Sequence, residues 1–142
     1  MDTLNHPSSK EELITGVLGL TPDITFSPVQ IQKLFFLLEK KLNLTYFDFK
    51  PYHYGPYDKG LTATLDLLSQ EGKIHIKNID GIIHYQASST NTLNSSDFLD
   101  EQKRKFIKKM TAFIKNLSFK ELCMSIYKEY PEMAENSIFF RK

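Results

Sequence analysis

One cysteine, no tryptophan and a net charge of only +1 mark this 142-residue sequence by what it has little of. A lone cysteine, Cys123, excludes an internal disulfide and a cysteine-rich metal site, and makes a reducing cytosol the simplest home. The near-neutral balance excludes a surface built throughout to hold nucleic acid, while leaving a local basic face open. The longest apolar run, "LFFLL" at 34–38, is far short of a bilayer span, so no membrane partner is expected. The opening "MDTLNHPSSKEE" has neither a basic start nor an apolar stretch, and no secretory signal is expected from it. G-x-S-x-G, H-E-x-x-H, Walker A and G-x-G-x-x-G are all missing, so the expectation is a non-enzyme without a cofactor or metal.

What is there is ordinary for a globular protein: 41% apolar and 25% charged residues. A chain of this length buries about 68–70% of its unfolded surface, enough for a core without staples, and fits one domain. Ser9 and Glu12 have capping-box spacing and open a first helix that should end near Leu20. Ser27 and Pro28 open a second, in which Ile31, Leu34, Phe35, Leu38 and Leu42 form a stripe widened by Phe36 and Leu37. That width predicts contact on more than one side. A third helix is expected from Pro56, at its first position, to about Glu71, with Gly72 as its stop. Its face of Tyr57, Leu61, Thr64, Leu65 and Leu68 should be core, and Gly60, Ala63 and Leu67 offer a flatter face to another helix.

"KIHIKNIDGIIHYQ" reads as a β-hairpin. Pairing Lys77 with Ile82 sets Ile76 against Ile83 and Ile74 against Tyr85 around a four-residue "NIDG" loop. That register is preferred to a two-residue Asp80-Gly81 loop, which would set Asn78 against Ile83. A polar linker, 87–96, leads to a helix expected from about Asp97 to Asn116, with Phe98, Gln102, Phe106, Met110, Phe113 and Leu117 on its stripe and Leu99, Ile107 and Ile114 broadening it. Ser118 and Glu121 open the last helix, which should stop before Pro131. The predicted fold is α+β, mostly α: a lead-in helix over 1–26, a winged-helix-like core of two helices and one β-hairpin over 27–86, the linker, and two C-terminal helices over 97–142.

Cys123 sits mid-helix between Leu122 and Met124 and reads as a buried structural thiol. In the preferred register His75 and His84 face each other, which admits both exposed strand histidines and part of a metal site lacking its further ligands. Lys103, Arg104, Lys105, Lys108 and Lys109 flank an apolar stripe; they read as a solvated face or as a nucleic-acid contact. "FDFKPYHYGPY" at 47–57 crowds rings, two prolines and one glycine into a connection. Phe47 and Phe49 alternate like a short strand and should be core, as should Tyr57. Tyr52 and Tyr54 carry polar handles suited to a half-exposed place where another macromolecule binds.

"SPVQIQKLFFLLEKKL" followed by "FDFKPYHYGPYDKGLTATLDLLSQEGKI" resembles the Panacea antitoxin domain, the SocA-like group, and its YwgA-like bacterial relatives. Gln32, Lys33, Leu34, Tyr54, Gly55 and Pro56 stand at the motif positions. The likeness covers 27–76, with a looser one at 118–137, and departs in lacking the tryptophan that many members carry ahead of "YGP". It implies a small bacterial or phage-borne protein that neutralises a toxin by direct contact. The expected partner face is then Tyr52, His53, Tyr54, Gly55, Pro56 and Tyr57 with Gln32 and Lys33 beside them. A winged-helix DNA-binding regulator is the alternative, and a homodimer is left open.

Overall fold

A computed structural model of the chain describes residues 9–88 and 99–140. The elements in order are α1 (Lys10–Leu20), α2 (Pro28–Leu42), β1 (Lys50–Tyr52), β2 (Gly55–Tyr57), α3 (Lys59–Gln70), β3 (Ile74–Ile79), β4 (Ile82–Ala87), α4 (Glu101–Asn116) and α5 (Phe119–Glu129), closed by 3-10 turns at Pro131–Ala134 and Ile138–Phe140. The fold is α+β, mostly α. Each serine cap lies where the spacing put it: the hydroxyls of Ser9, Ser27 and Ser118 accept from the backbone N–H three residues on, and Ser27–Gln30 and Ser118–Glu121 close reciprocal boxes. Gly72, at φ 74, stops α3, and Lys73 N–H bonds back to Leu68.

Helix α2 is the spine. Every residue from 31 to 39 is buried, because α4, β2 and β4 pack on different sides of it. One cluster of buried side chains runs from Leu13 to Met133 around it. Phe26, just ahead of α2, exchanges two backbone hydrogen bonds with Tyr85 and ties the helix entry to β4.

Two hairpins are present among the described residues rather than one. The additional pair is β1–β2, with Lys50 opposite Tyr57, Pro51 opposite Pro56 and Tyr52 opposite Gly55. Pro56 is therefore a strand residue and not the first residue of α3, whose cap is the Asp58 carboxylate, accepting from Leu61 N–H at 3.1 Å. Neither proline can donate, so placing them opposite each other confines both to the wide, unbonded pair of an antiparallel ladder. Gly55 takes φ 93, which a β-carbon would resist.

The β3–β4 register differs from the expected one. Ile76 pairs with Tyr85, Asn78 with Ile83 and Ile79 with Ile82, around a two-residue Asp80-Gly81 loop. Both loop residues have positive φ, 54 and 85, the type I′ geometry that matches strand twist, and Asn78 Oδ1 accepts from Gly81 N–H at 2.9 Å. The apolar face that argued for the longer loop is not buried at that end: Ile76 and Ile83 are exposed, and only Ile74, Tyr85 and Ala87 reach the core. The shift is two residues, so each side chain keeps its face while its partner changes. His75 therefore pairs with Gln86 and His84 with Lys77, and the two imidazoles do not oppose each other.

Helix α4 begins at Glu101 behind an Asp100 cap, later than expected, and buries Ile107, Thr111 and Ile114. Phe106 and Met110 are half-buried and Phe113 is exposed, so the inward face is rotated from the ring-bearing stripe. Of the flatter face expected on α3, Gly60 lies beside Lys10 of α1, whose Nζ would stand 3.4 Å from a β-carbon there, while Ala63 and Leu67 are exposed. Ala87, at the end of β4, and Ser88 after it are buried; the rest of the expected linker, the expected helix start at Asp97 and Phe98 lie outside the described residues. No helix of the described residues is long and apolar enough to cross a membrane.

Candidate functional site

Three polar side chains on the buried spine grip the backbone of the aromatic segment. The Glu39 carboxylate accepts from the N–H groups of Tyr46 and Phe47. The Gln32 amide pairs with Asp58 as a peptide would: its Oε1 accepts from Asp58 N–H at 2.9 Å, and its Nε2 donates to Asp58 C=O at 3.0 Å and to Thr62 Oγ1 at 3.1 Å. Lys33 Nζ donates to the Pro56 carbonyl at 3.1 Å. Burial pushes Glu39 above the usual carboxylate range, opposed by its two backbone bonds, and pulls Lys33 down to about 8, opposed by the Cys123 thiol beside it.

The rings divide into two groups. Phe47 and Phe49 turn inward, with Phe47 edge-on to Phe35 at 5.9 Å and Phe49 edge-on to Phe36 at 5.5 Å. They lie ahead of β1 rather than in a strand. Past Pro51 the chain leaves the core: Tyr52 is 48% exposed, Tyr54 is 42% exposed, and His53 between them is exposed too. Tyr57 is half-buried, its ring 4.9 Å from Tyr52. Gly55 and Pro56 are buried because α5 closes over them; a β-carbon at Gly55 would stand 3.3 Å from the Tyr127 ring and 3.5 Å from Lys33 Cε. The Cys123 thiol, buried and with its pKa pushed up by that burial, points at the Tyr54 carbonyl from 3.5 Å.

The tip is held from its other edge as well. Asn136 donates to the Pro51 carbonyl and Ile138 N–H to the His53 carbonyl, both at 2.9 Å. This carries further rings to the site: Tyr54 meets Phe119 edge-on at 5.0 Å, and Phe119 meets Phe139 at 5.8 Å. Phe119, Ile138 and Phe140 are exposed. Sequence reasoning missed these. Phe119 had a signal, since an aromatic directly behind an N-cap lies at the start of a helix rather than on its inner stripe.

Between the tip and the start of α2 lies a cavity of about 330 Å³, lined by Pro28, Val29, Gln32, Lys33, Tyr52–Gly55 and Tyr57. Seven of the expected partner-face residues thus surround one space; Pro56 stands behind it. Gln32 and Lys33 are 3% and 2% exposed, so their polar atoms serve the wall and the hairpin backbone rather than an outer surface.

The other candidates lie apart. Arg104, Lys105, Lys108 and Lys109 are exposed on α4, Lys103 is half-buried, and Lys105 pairs with Glu101 at 3.7 Å. The tip of β3–β4 presents Ile79, Ile82 and Ile83 rather than cations. Among the described residues, no group of three or more His, Cys, Asp or Glu is placed to hold a metal ion. Comparison with family models, with curated proteins and with solved structures gives no match.

Proposed function

We propose that this chain is a non-enzymatic binding module of the antitoxin type, which neutralises a toxin-like protein by docking it on the ring-bearing tip of β1–β2. The observation that carries the reading is the exposure of Tyr52 and Tyr54 on a tip held from both edges. Aromatic rings left in water are costly unless something covers them, and tyrosine is enriched where binding energy concentrates. Phe119, with the half-buried Phe139 against it, extends the same patch, so an incoming protein meets adjoining rings on a backbone that needs no ordering. The "QKL" and "YGP" residues that resemble the Panacea domain build this corner: the Lys33 bond to Pro56 joins the two motifs directly.

The test is binding of the product of the adjacent reading frame to the tagged chain. Tyr52→Ala with Tyr54→Ala should weaken binding at least about tenfold, roughly one hot-spot residue's worth. Far-UV CD and Tm should stay nearly unchanged. Equal losses in folding and binding would mean that the rings serve the core alone.

A winged-helix DNA-binding regulator is the second reading, favoured by the exposed Arg104, Lys105, Lys108 and Lys109 on one helix. It predicts binding to random duplex DNA that falls steeply with salt.

A further inference from the structure

The free side of β3 can be located residue by residue. Tyr85 N–H donates to the Phe26 carbonyl, and the Tyr85 carbonyl accepts from Phe26 N–H, so both groups point away from β3. Ile76 stands opposite Tyr85 in a pair that exchanges no bonds, so its own N–H and C=O point the other way, out of the sheet edge. Asn78, two residues on, repeats this phase. Among the described residues no backbone bond from outside the hairpin reaches either of them. Ile74 has the same phase but is buried, so the open length starts at Ile76.

The two faces beside this edge differ. Ile76 and Ile83 are exposed and continue outward the face whose base, Ile74, Tyr85 and Ala87, is core. On the other face Lys77 is exposed between His75 and Ile79, opposite His84, and no carboxylate of the described residues lies within ion-pair distance of it. We propose that β3 takes up an extended segment of another protein as a further strand, one with apolar residues opposite Ile76 and Asn78 and a carboxylate opposite Lys77. The backbone groups of Ile76 and Asn78 supply the hydrogen bonds, and alternate side chains of the incoming strand meet the isoleucine face and the cationic face. Lys77 falls in a non-bonded pair of that new ladder, where side chains across the strands come closest, so an acid there meets the ammonium directly. Against a strand without one, the same lysine guards the edge. It also disfavours a second copy: the two-fold register that pairs Ile76 with Asn78 sets the two copies' Lys77 against each other. The edge belongs to a different hairpin from the ring-bearing tip, and the inference does not rest on that reading.

The test is an NMR titration of the full chain at pH 7 with an acetylated, amidated seven-residue peptide that alternates valine with glutamate, against the same peptide with lysine for glutamate. The glutamate peptide should bind saturably and slow the exchange of the Ile76 and Asn78 amide protons, with the lysine peptide about tenfold weaker, the span between an attractive and a repulsive cross-strand pair. Lys77→Glu should reverse that preference. Ile76→Pro removes an outward N–H while leaving the β3–β4 bonds in place, and should abolish binding with Tm little changed. No saturable binding of the glutamate peptide, equal binding of the two peptides, or a preference unmoved by Lys77→Glu would each overturn the proposal. Concentration-dependent protection of the same two amides without peptide would assign the edge to a second copy and overturn it too.

Discussion

Replacing Lys33 with methionine should make the protein more stable at neutral pH. The side chain is 2% exposed, and its pKa lies near 8 instead of 10.5, so the folded chain carries the ammonium against its preference. That displacement corresponds to about 3 kcal/mol of penalty, at about 1.4 kcal/mol per unit, wherever both states hold the proton. Methionine keeps the length and packing of the stem and removes the charge. It also orphans the Pro56 carbonyl, a loss of about 1 kcal/mol. The net gain should be about 2 kcal/mol, or roughly 5 °C in Tm for a chain of this size. The sign with pH follows from the depressed pKa. Between pH 8 and 10.5 the unfolded chain binds the proton and the folded chain does not, so this residue's penalty fades as pH rises. Urea unfolding of both proteins at pH 7.5 and pH 10 should show the gap shrinking by about 2 kcal/mol. The Lys33 charge also acts on Cys123, so both proteins should carry Cys123→Ser, and the difference between them is the quantity to read. A Lys33→Met protein less stable than wild type at pH 7.5, or a gap that does not move with pH, would refute the reasoning.

Gln32→Leu should cost about 2–4 kcal/mol in urea unfolding, because the N–H and C=O of Asp58 lose their partner together in a buried place. Gly55→Ala should lower stability by about 2–4 kcal/mol, combining an unfavourable positive φ with crowding against Tyr127. Gly81→Ala, at φ 85 with nothing within 4 Å of the added carbon, should cost only about 1 kcal/mol. Equal thermal shifts for the two glycine variants would remove the crowding argument.

The helices could be read because their ends are written in local chemistry: Ser9, Ser27 and Ser118 each cap within three residues of themselves. Gly72 likewise stops α3 by its own backbone angle. What depends on a distant neighbour could not be read. On α4 the phenylalanines outweighed Ile107, Thr111 and Ile114 in the pattern, yet the latter three turn inward. The β3–β4 register was argued from an apolar face that the fold leaves half open, so turn geometry decided it. Pro56 suits the first position of a helix equally well, and only its placement opposite Pro51, a distant pairing, makes it a strand residue. Of the site, the exposed tyrosines were legible from their alternation and hydroxyls. The burial of Lys33 was not, since nothing local distinguishes it from a solvated helix lysine; its acceptor lies on the far side of a loop.

The spacing of the grips on α2 has a mechanical consequence. Lys33 and Glu39 stand about 9 Å apart along the helix axis, at the usual rise per residue. The stretch from Tyr46 to Pro56 that they hold would reach about 33 Å if drawn straight. A strip of chain fastened at two points so much closer than its own length has to bulge, and the bulge carries Tyr52 to Tyr54 away from the body of the protein. Concealing those rings would mean unfastening one end, so their prominence is a matter of chain length and attachment before it is a matter of which side chains sit there.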